Sequence, residues 1–220
     1  MKKLHFINAL FIAFFVVSLL QSCENKQTAP VVTTKQHMDA EAKTVVNMQA
    51  AYKGEKTATA KYEAYSKRAE ADGYHNVALL YNAVSAAENI HATNHKAVIE
   101  DAGAVVPVIV PEFKVKSTLE NLNDDINGEA YEAKTMYPDF LKTADIAGNQ
   151  IAALSLTYAM KTEQKHQFFF EQARGDINSN TLNSLPSTYY VCPVCGNTYT
   201  TAPNHCDFSL TSKDKFIKFN

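Results

Sequence analysis

Apolar side chains recur every three to four residues along four stretches of the chain, which is the spacing of amphipathic α-helices. The predicted helices span roughly residues 37–72, 74–102 and 149–173, and a further one begins near residue 118. A glycine follows three of these stretches, as is common where a helix ends: Gly73, Gly103 and Gly175. Pro138 is expected to kink the remaining helix or to end its regular part. The pattern predicts an all-α fold.

The segment 103–117 connects the second and third predicted helices and differs from both in composition. It holds two prolines and several β-branched residues, which disfavour a helix. It is too long for a tight turn and suits a long crossover connection. Four helices with one long crossover form a known bundle topology, which we predict for residues 37–175.

Acidic and histidine side chains interrupt the apolar helix faces. The first and third helices each carry one glutamate there, and the second and fourth each carry Glu-x-x-His. These residues are Glu55, Glu88, His91, Glu129, Glu163 and His166. Several carboxylates in a bundle core repel each other and lose hydration, so they must take up protons or hold cations. The arrangement is the ligand signature of di-iron and di-manganese carboxylate bundles. The alternative is that these are surface residues of amphipathic helices.

The N-terminal segment predicts export. Lys2 and Lys3 precede an apolar run over 6–20 that is too short for a confident membrane span. Leu20-Gln21-Ser22-Cys23 then resembles the lipobox of bacterial lipoproteins. We therefore predict a signal peptide over 1–22, lipidation of Cys23, and a flexible tether over 23–36. The protein would be membrane-anchored and would face the periplasm or the cell exterior. The alternatives are an ordinary signal peptide or an uncleaved anchor.

The remaining cysteines form a candidate metal knuckle near the C-terminus. Cys192-x-x-Cys195, followed by glycine, is typical of a turn that points two thiolates at one metal ion. Cys206 adds a third thiol, and Ser209 stands where a second Cys-x-x-Cys would have its last cysteine. An iron or zinc ion could be completed by Ser209 or by water, or His205 could be the fourth ligand. The third possibility is no metal, with a Cys192–Cys195 disulfide or free thiols, because the exported compartment is oxidising.

Four segments resemble the helix motifs of rubrerythrins: GEKTATAKYEAYSKRAEADGY, AAENIHATNHK, INGEAYEAKTMYPDF and EQKHQFFF. The resemblance covers nearly all of the chain from residue 37 onward. It implies a ferritin-like four-helix bundle with one long crossover, a linker over 176–188, and a small rubredoxin-like metal-knuckle domain over 189–220. It also implies two iron ions in the bundle, with an iron or zinc ion in the knuckle. Hydrogen peroxide, an unidentified electron donor and a second copy of the chain are the implied partners.

The resemblance further implies roles for individual residues. Glu132 would be a seventh di-iron ligand, and it would exchange with His91 as the irons change oxidation state. Tyr62 and Tyr137 match tyrosines near the irons. The candidate catalytic residues are therefore Glu132, His91, Tyr62 and Tyr137. For the tyrosines, the alternative is core packing with a satisfied hydroxyl group. His95, one turn beyond His91, could support the metal ligands from behind, but it is expected to be a partly exposed helix residue.

Three hypotheses for function remain. The first is a peroxide-reducing oxidoreductase in oxidative-stress defence, and the second is a ferroxidase or iron-binding module of the same fold. The third is a binding or structural lipoprotein that has lost the chemistry. The complete ligand set argues against the third hypothesis, whereas the altered knuckle weakens the first. With 21 basic and 23 acidic residues, the charge balance gives no electrostatic support for nucleic-acid binding.

Overall fold

The computed structural model describes residues 33–181 and 184–220. Its helices are α1 (Thr34–Ala71), α2 (His75–Asp101), α3 (Thr118–Tyr131), α4 (Tyr137–Ile146) and α5 (Gln150–Ser179). A π-helical turn, Glu132–Met136, joins α3 to α4 without a break. The bundle therefore consists of four long helical rods, and the irregular segment after α2 is its crossover. The predicted signal peptide and Cys23 lie outside the described residues.

Two helix ends differ from the predicted positions. Helix α1 begins at Thr34, inside the predicted tether, because Thr33 and Gln36 form a reciprocal capping box. Helix α5 continues through Gly175 to Ser179, so the linker begins later than residue 176. Ile177 packs against the core and Asn180 ends the helix in the left-handed conformation, with φ of 56°.

The π-helical turn lies where the sequence predicted a kink or an end at Pro138. The amide of Tyr137 donates to the carbonyl of Glu132, five residues earlier. Proline has no amide hydrogen and cannot make the regular bond to the carbonyl four residues earlier, and the π-helical register lies just before it. The extra residue in the turn places Tyr137 in the core, where it is fully buried.

The bundle core consists of two apolar layers separated by a polar layer. One apolar layer contains Tyr62, Leu80 and Phe170, and the other contains Met48 and Leu156. Along α1, α2 and α5 the buried glutamates and histidines lie between these layers. The apolar layers keep water away from the polar residues at both ends.

The C-terminal module is a small antiparallel sheet that packs on the bundle. Its strands are β1 (Tyr189–Val191), β2 (Thr198–Tyr199) and β3 (Ile217–Phe219), in the order β2-β1-β3. Leu185, Tyr189 and Val191 join the same buried cluster as the bundle residues, which holds the module against α2 and α5. Within 33–181 and 184–220, no helix has both the length and the apolar character of a membrane span.

Candidate metal centres

The polar layer contains two overlapping groups of possible metal ligands. One comprises Glu55, Glu88, His91 and Glu163, and the other comprises Glu88, Glu129, Glu163 and His166. In each group the ligand atoms lie within 4.8 Å of one another, and all are buried. Glu88 and Glu163 belong to both groups, so each would contribute to holding two ions. The structure thus brings together six of the seven carboxylates and histidines that the sequence singled out.

Both histidines turn the same ring nitrogen toward the carboxylates. His91 Nδ1 lies 2.9 Å from Glu88 Oε2 and 3.2 Å from Glu163 Oε1. His166 Nδ1 lies 3.0 Å from Glu88 Oε1 and 2.9 Å from Glu163 Oε2. The glutamate and histidine of each pair sit three residues apart on one helix face, which is why they converge. Each Nε2 atom is left to face the cysteine module.

Several buried ligand atoms lack a hydrogen-bond partner within the described part of the chain. They are Glu129 Oε2, both carboxylate oxygens of Glu163, and His166 Nδ1. His166 Nδ1 is close to Glu163 Oε2, yet the two atoms are not aligned as donor and acceptor. Atoms that converge on a common point without bonding each other are arranged as ligands of a cation. The oxygen and imidazole donors suit iron, so the residues fit a di-iron centre.

The carboxyl groups show the cost of being brought together without cations. Burial, followed by repulsion from Glu88 and Glu163, raises the pKa of Glu55 and of Glu129 well above the usual value. Burial opposes protonation of His91, but Glu163 and Glu88 raise its pKa to about 10. Carboxyl groups packed in this way must share protons or cations, and bound cations would take the place of the protons.

Glu132 lies beside the two ligand groups and belongs to neither. Glu132 begins the π-helical turn, and a part of its surface is exposed. Burial of the rest, followed by repulsion from the nearby Glu163 and Glu88, raises the pKa of Glu132 to about 8. Its Oε1 atom would lie 4.0 Å from a Cβ atom added at Gly54. The exchange of Glu132 with His91 stays a prediction.

We expect Glu132 to make the metal-free protein less stable as pH rises. Because its pKa is about 8 when folded and near 4.5 when unfolded, the folded state holds an extra proton between those values. The stability of the wild type relative to Glu132→Gln should therefore fall by roughly 1 kcal/mol per pH unit over that window. Urea unfolding of both metal-free proteins from pH 5 to pH 8 measures this difference. A difference that is constant or rises with pH would contradict the assigned environment.

The two predicted tyrosines hold ligand carboxylates. Tyr62 donates a short hydrogen bond to Glu129, and Tyr137 donates one to Glu55. Both tyrosines are buried. Burial raises the pKa of each phenol, and the negative groups around it raise that pKa further. Each phenol therefore remains protonated and fixes the orientation of one carboxylate.

His95 is fully buried, although the sequence favoured a partly exposed position. Its Nδ1 lies 2.7 Å from Ser155 Oγ, and its Nε2 lies 3.2 Å from Tyr137 Oη. Burial, then the nearby His91, lowers the pKa of His95 to about 3, so the ring is neutral. Because Tyr137 donates to Glu55, a consistent arrangement has Ser155 donating to His95 and His95 donating to Tyr137. The i,i+4 spacing from His91 was the sequence signal for an inward position.

Replacing His95 should destabilise the bundle through its hydrogen-bond partners. His95→Leu leaves the buried hydroxyl group of Ser155 without its acceptor, at a cost of about 1–3 kcal/mol. The double variant with Ser155→Ala should lose less than the sum of the two single variants, because the orphaned hydroxyl group is gone. Urea unfolding of the wild type, the two single variants and the double variant measures these losses. His75→Leu, at an exposed histidine, is the control. Strictly additive losses would contradict the proposed chain of hydrogen bonds.

The cysteine module touches both histidines of the polar layer. His91 Nε2 lies 3.2 Å from the carbonyl oxygen of Cys195, and His166 Nε2 lies 3.1 Å from Thr198 Oγ1. If Nδ1 binds a metal ion, Nε2 carries the proton and donates a hydrogen bond to these acceptors. The module therefore fixes the orientation of both rings.

Cys192, Cys195 and Cys206 converge as a possible metal site at the surface of the bundle. All three are buried free thiols with their sulfur atoms within 4.8 Å of one another. The structure thus has no Cys192–Cys195 disulfide. His205 is exposed, pairs with Ser212 in a β-bridge, and lies outside the ligand group. The three thiolates fit an iron-binding knuckle.

A ferritin-like bundle with this buried ligand set and a rubredoxin-like knuckle defines a class of non-haem di-iron oxidoreductases. The rubrerythrin family model matches residues 47–174 of the chain. Rubrerythrin-2 of Clostridium acetobutylicum is 32% identical to it over 78% of this chain and 94% of its own length. Nigerythrin of Nitratidesulfovibrio vulgaris is also 32% identical, over 88% of this chain and 100% of its own. The chain belongs to the rubrerythrin family.

Solved structures confirm the predicted fold. A nigerythrin in a mixed-valence state is 30% identical, with a TM-score of 0.72 over 90% of this chain and 91% of that one. A fully reduced, all-ferrous nigerythrin has the same TM-score of 0.72 over 96% of this chain and 100% of the other. A Desulfovibrio desulfuricans bacterioferritin, 21% identical with a TM-score of 0.60, shares the fold.

Proposed function

We propose that this chain is a di-iron oxidoreductase that reduces hydrogen peroxide in oxidative-stress defence. The observation that carries the proposal is the contact between the buried ligand groups and the knuckle, through His91 Nε2 and the Cys195 carbonyl at 3.2 Å. Two ferrous ions, when bound, supply the two electrons that convert one hydrogen peroxide to two waters, together with two protons. The names of the relatives support a redox role for this chain.

The chain's own residues prepare the site for that reaction. Glu132 lies beside the ligand groups, close to Glu163 and Glu88, where its carboxyl group can deliver a proton to a leaving oxygen. Tyr62 and Tyr137 hold the Glu129 and Glu55 carboxylates in place. The apolar layers above and below keep water from the site.

A ferroxidase or iron-binding module is the second candidate function. Ser209 in place of a fourth thiolate favours it, because a changed knuckle alters the expected entry of electrons. In that case ferrous iron itself would be the substrate, and dioxygen would serve as the oxidant. The buried ligand groups would have the same role in both functions.

We also propose an exported lipoprotein, anchored to a membrane through Cys23. An extracytoplasmic carrier or a membrane quinol chain would then supply the electrons, because cytosolic carriers cannot reach the site. A homodimer is supported by the crossover, where Val105, Val108 and Val110 are 79%, 94% and 76% exposed. A second copy would remove these side chains from water.

Anaerobic loading with ferrous iron tests the proposed reaction. We expect two irons per chain in the bundle, oxidised at least about tenfold faster by hydrogen peroxide than by dioxygen. Glu132→Gln should slow the peroxide reaction by roughly 10²-fold, the low end of a general acid's contribution. Equal rates with both oxidants would favour the ferroxidase. Fewer than two bundle irons would contradict both functions.

A further inference from the structure

The two halves of the knuckle have the same backbone conformation. In the first half the amide of Gly196 donates to the carbonyl of Cys192 at 3.0 Å, and Gly196 has φ of +74°. In the second half the amide of Leu210 donates to the carbonyl of Cys206 at 3.0 Å, and Leu210 has φ of 58°. The loops correspond residue by residue, so Ser209 occupies the position that Cys195 has in the first loop.

Leu210 shows that this correspondence is maintained against a local preference. A leucine disfavours positive φ, because its Cβ atom crowds the following carbonyl. Its side chain is 76% exposed, so burial of that side chain does not explain the conformation. A strained residue persists only where its surroundings require the geometry, and such residues cluster at functional sites. The second loop is thus shaped to aim the side chain of Ser209.

The side chain of Ser209 points at the thiols. Its Oγ atom lies 3.2 Å from Cys192 Sγ, and Cys195 Sγ lies 3.3 Å from Cys206 Sγ. Metal–ligand bonds of roughly 2.0–2.3 Å give tetrahedral edges of about 3.5–3.8 Å. These two separations are a few tenths of an ångström shorter, so an ion would spread these two pairs of atoms only slightly.

Each of the four atoms has a hydrogen-bond partner in the residue two positions later. Backbone amides of Val194, Asn197 and Phe208 serve Cys192, Cys195 and Cys206 in this way. For Ser209 the matching residue is Thr211, whose hydroxyl oxygen lies 2.7 Å from Ser209 Oγ. The Thr211 hydroxyl group therefore occupies the place of an amide donor and is able to donate to Ser209 Oγ.

We propose that Ser209 Oγ is the fourth ligand of an iron ion held by Cys192, Cys195 and Cys206, with the Thr211 hydroxyl group as its hydrogen-bond donor. The oxygen is a harder donor than a thiolate, so it favours ferric over ferrous iron. The site then has a lower reduction potential than a four-thiolate site and is a stronger one-electron reductant. This inference rests on the knuckle alone, so it holds whether hydrogen peroxide or dioxygen oxidises the bundle irons.

The test uses the iron-loaded full chain and measures the visible charge-transfer absorption, the reduction potential and the iron content of the knuckle. Ser209→Cys should raise the potential and shift the absorption, because a fourth thiolate replaces the oxygen. Ser209→Ala should weaken iron binding at the knuckle by roughly 10-fold or more, given that loss of even an outer hydrogen-bond partner costs 10–100-fold. Both variants should keep the two bundle irons.

Two further variants separate the ligand role from a structural one. Thr211→Val removes the donor to Ser209 and should lower the potential further, whereas Thr211→Ser should restore it. Ser187→Cys, which adds a thiol at an exposed serine just before β1, should leave the spectrum and the potential unchanged. Unchanged knuckle iron, spectrum and potential in both Ser209→Ala and Ser209→Cys would overturn the proposal. A knuckle that binds zinc and takes up no iron when offered both ions would also overturn it.

Discussion

Gly196→Ala is expected to detach the cysteine knuckle from the polar layer of the bundle. A Cβ atom at this position would collide with His91 Nε2, would lie 2.7 Å from His91 Cδ2, and would lie 3.1 Å from the backbone oxygen of Ala87. Neither neighbour can yield easily, because His91 belongs to the buried ligand group and Ala87 is helical backbone. The positive φ of Gly196 adds strain for any side chain.

We expect this substitution to cost about 2–4 kcal/mol, from overpacking together with the backbone strain. Rapid mixing of the reduced, iron-loaded protein with peroxide should show the knuckle iron reoxidised at least about tenfold more slowly, because the hydrogen bond from His91 to Cys195 is lost. Gly103→Ala is the matched control: it has φ of +65° but no atom within 4 Å of the added Cβ. Gly103→Ala should lose stability through backbone strain, but it should not slow the reoxidation of the knuckle iron. Equal behaviour of the two variants would show that the contact with His91 has no role.

Glu163→Gln is expected to remove both iron ions from the bundle. Its carboxylate belongs to both ligand groups, and each of its oxygens lacks a hydrogen-bond partner within the described residues. An amide offers one neutral oxygen in place of two charged ones, so it cannot bridge two cations. Iron analysis should find fewer than about one bundle iron per chain, because the two sites share this ligand.

Two other variants make this prediction specific. Glu129 belongs to one ligand group, so Glu129→Gln should weaken the binding of one iron and leave the other iron bound. Glu171→Gln, at an exposed position on the same helix as Glu163, should keep both. If Glu163→Gln retained two bundle irons, the shared-ligand geometry would be wrong.

The sequence predicted the bundle and most of its site because helical periodicity is a local property. Glu55 and Glu88 interrupt apolar stripes, and the 3.6-residue repeat alone places such residues in the core. Glu-x-x-His puts both side chains on one face, so the pairing of Glu163 with His166 follows from spacing. The cost of burying carboxylates together then indicates cations.

Other features depend on contacts between residues distant in the sequence. The π-helical turn reflects how the third rod packs around Tyr137, and the inward position of His95 depends on Ser155, 60 residues away. The contact of Cys195 with His91 spans 104 residues. The conformation of Leu210 has no sequence signal, because leucine rarely adopts it. Lipidation of Cys23 stays a prediction.

The polar layer and the knuckle form one connected unit. The histidines of the bundle would bind iron through Nδ1 and donate hydrogen bonds through Nε2 to the module, so each part would orient the other. A substitution in the polar layer should therefore alter the knuckle, and a substitution in the knuckle should alter the polar layer.

Mössbauer spectroscopy of the full chain loaded with ⁵⁷Fe tests the central claim most directly, because it separates iron bound by oxygen and nitrogen from iron bound by sulfur. The six residues of the ligand groups and the three cysteines predict about two irons of the first kind for each one of the second. A spectrum with sulfur-bound iron alone, or with fewer than two oxygen- and nitrogen-bound irons per chain, would contradict the account.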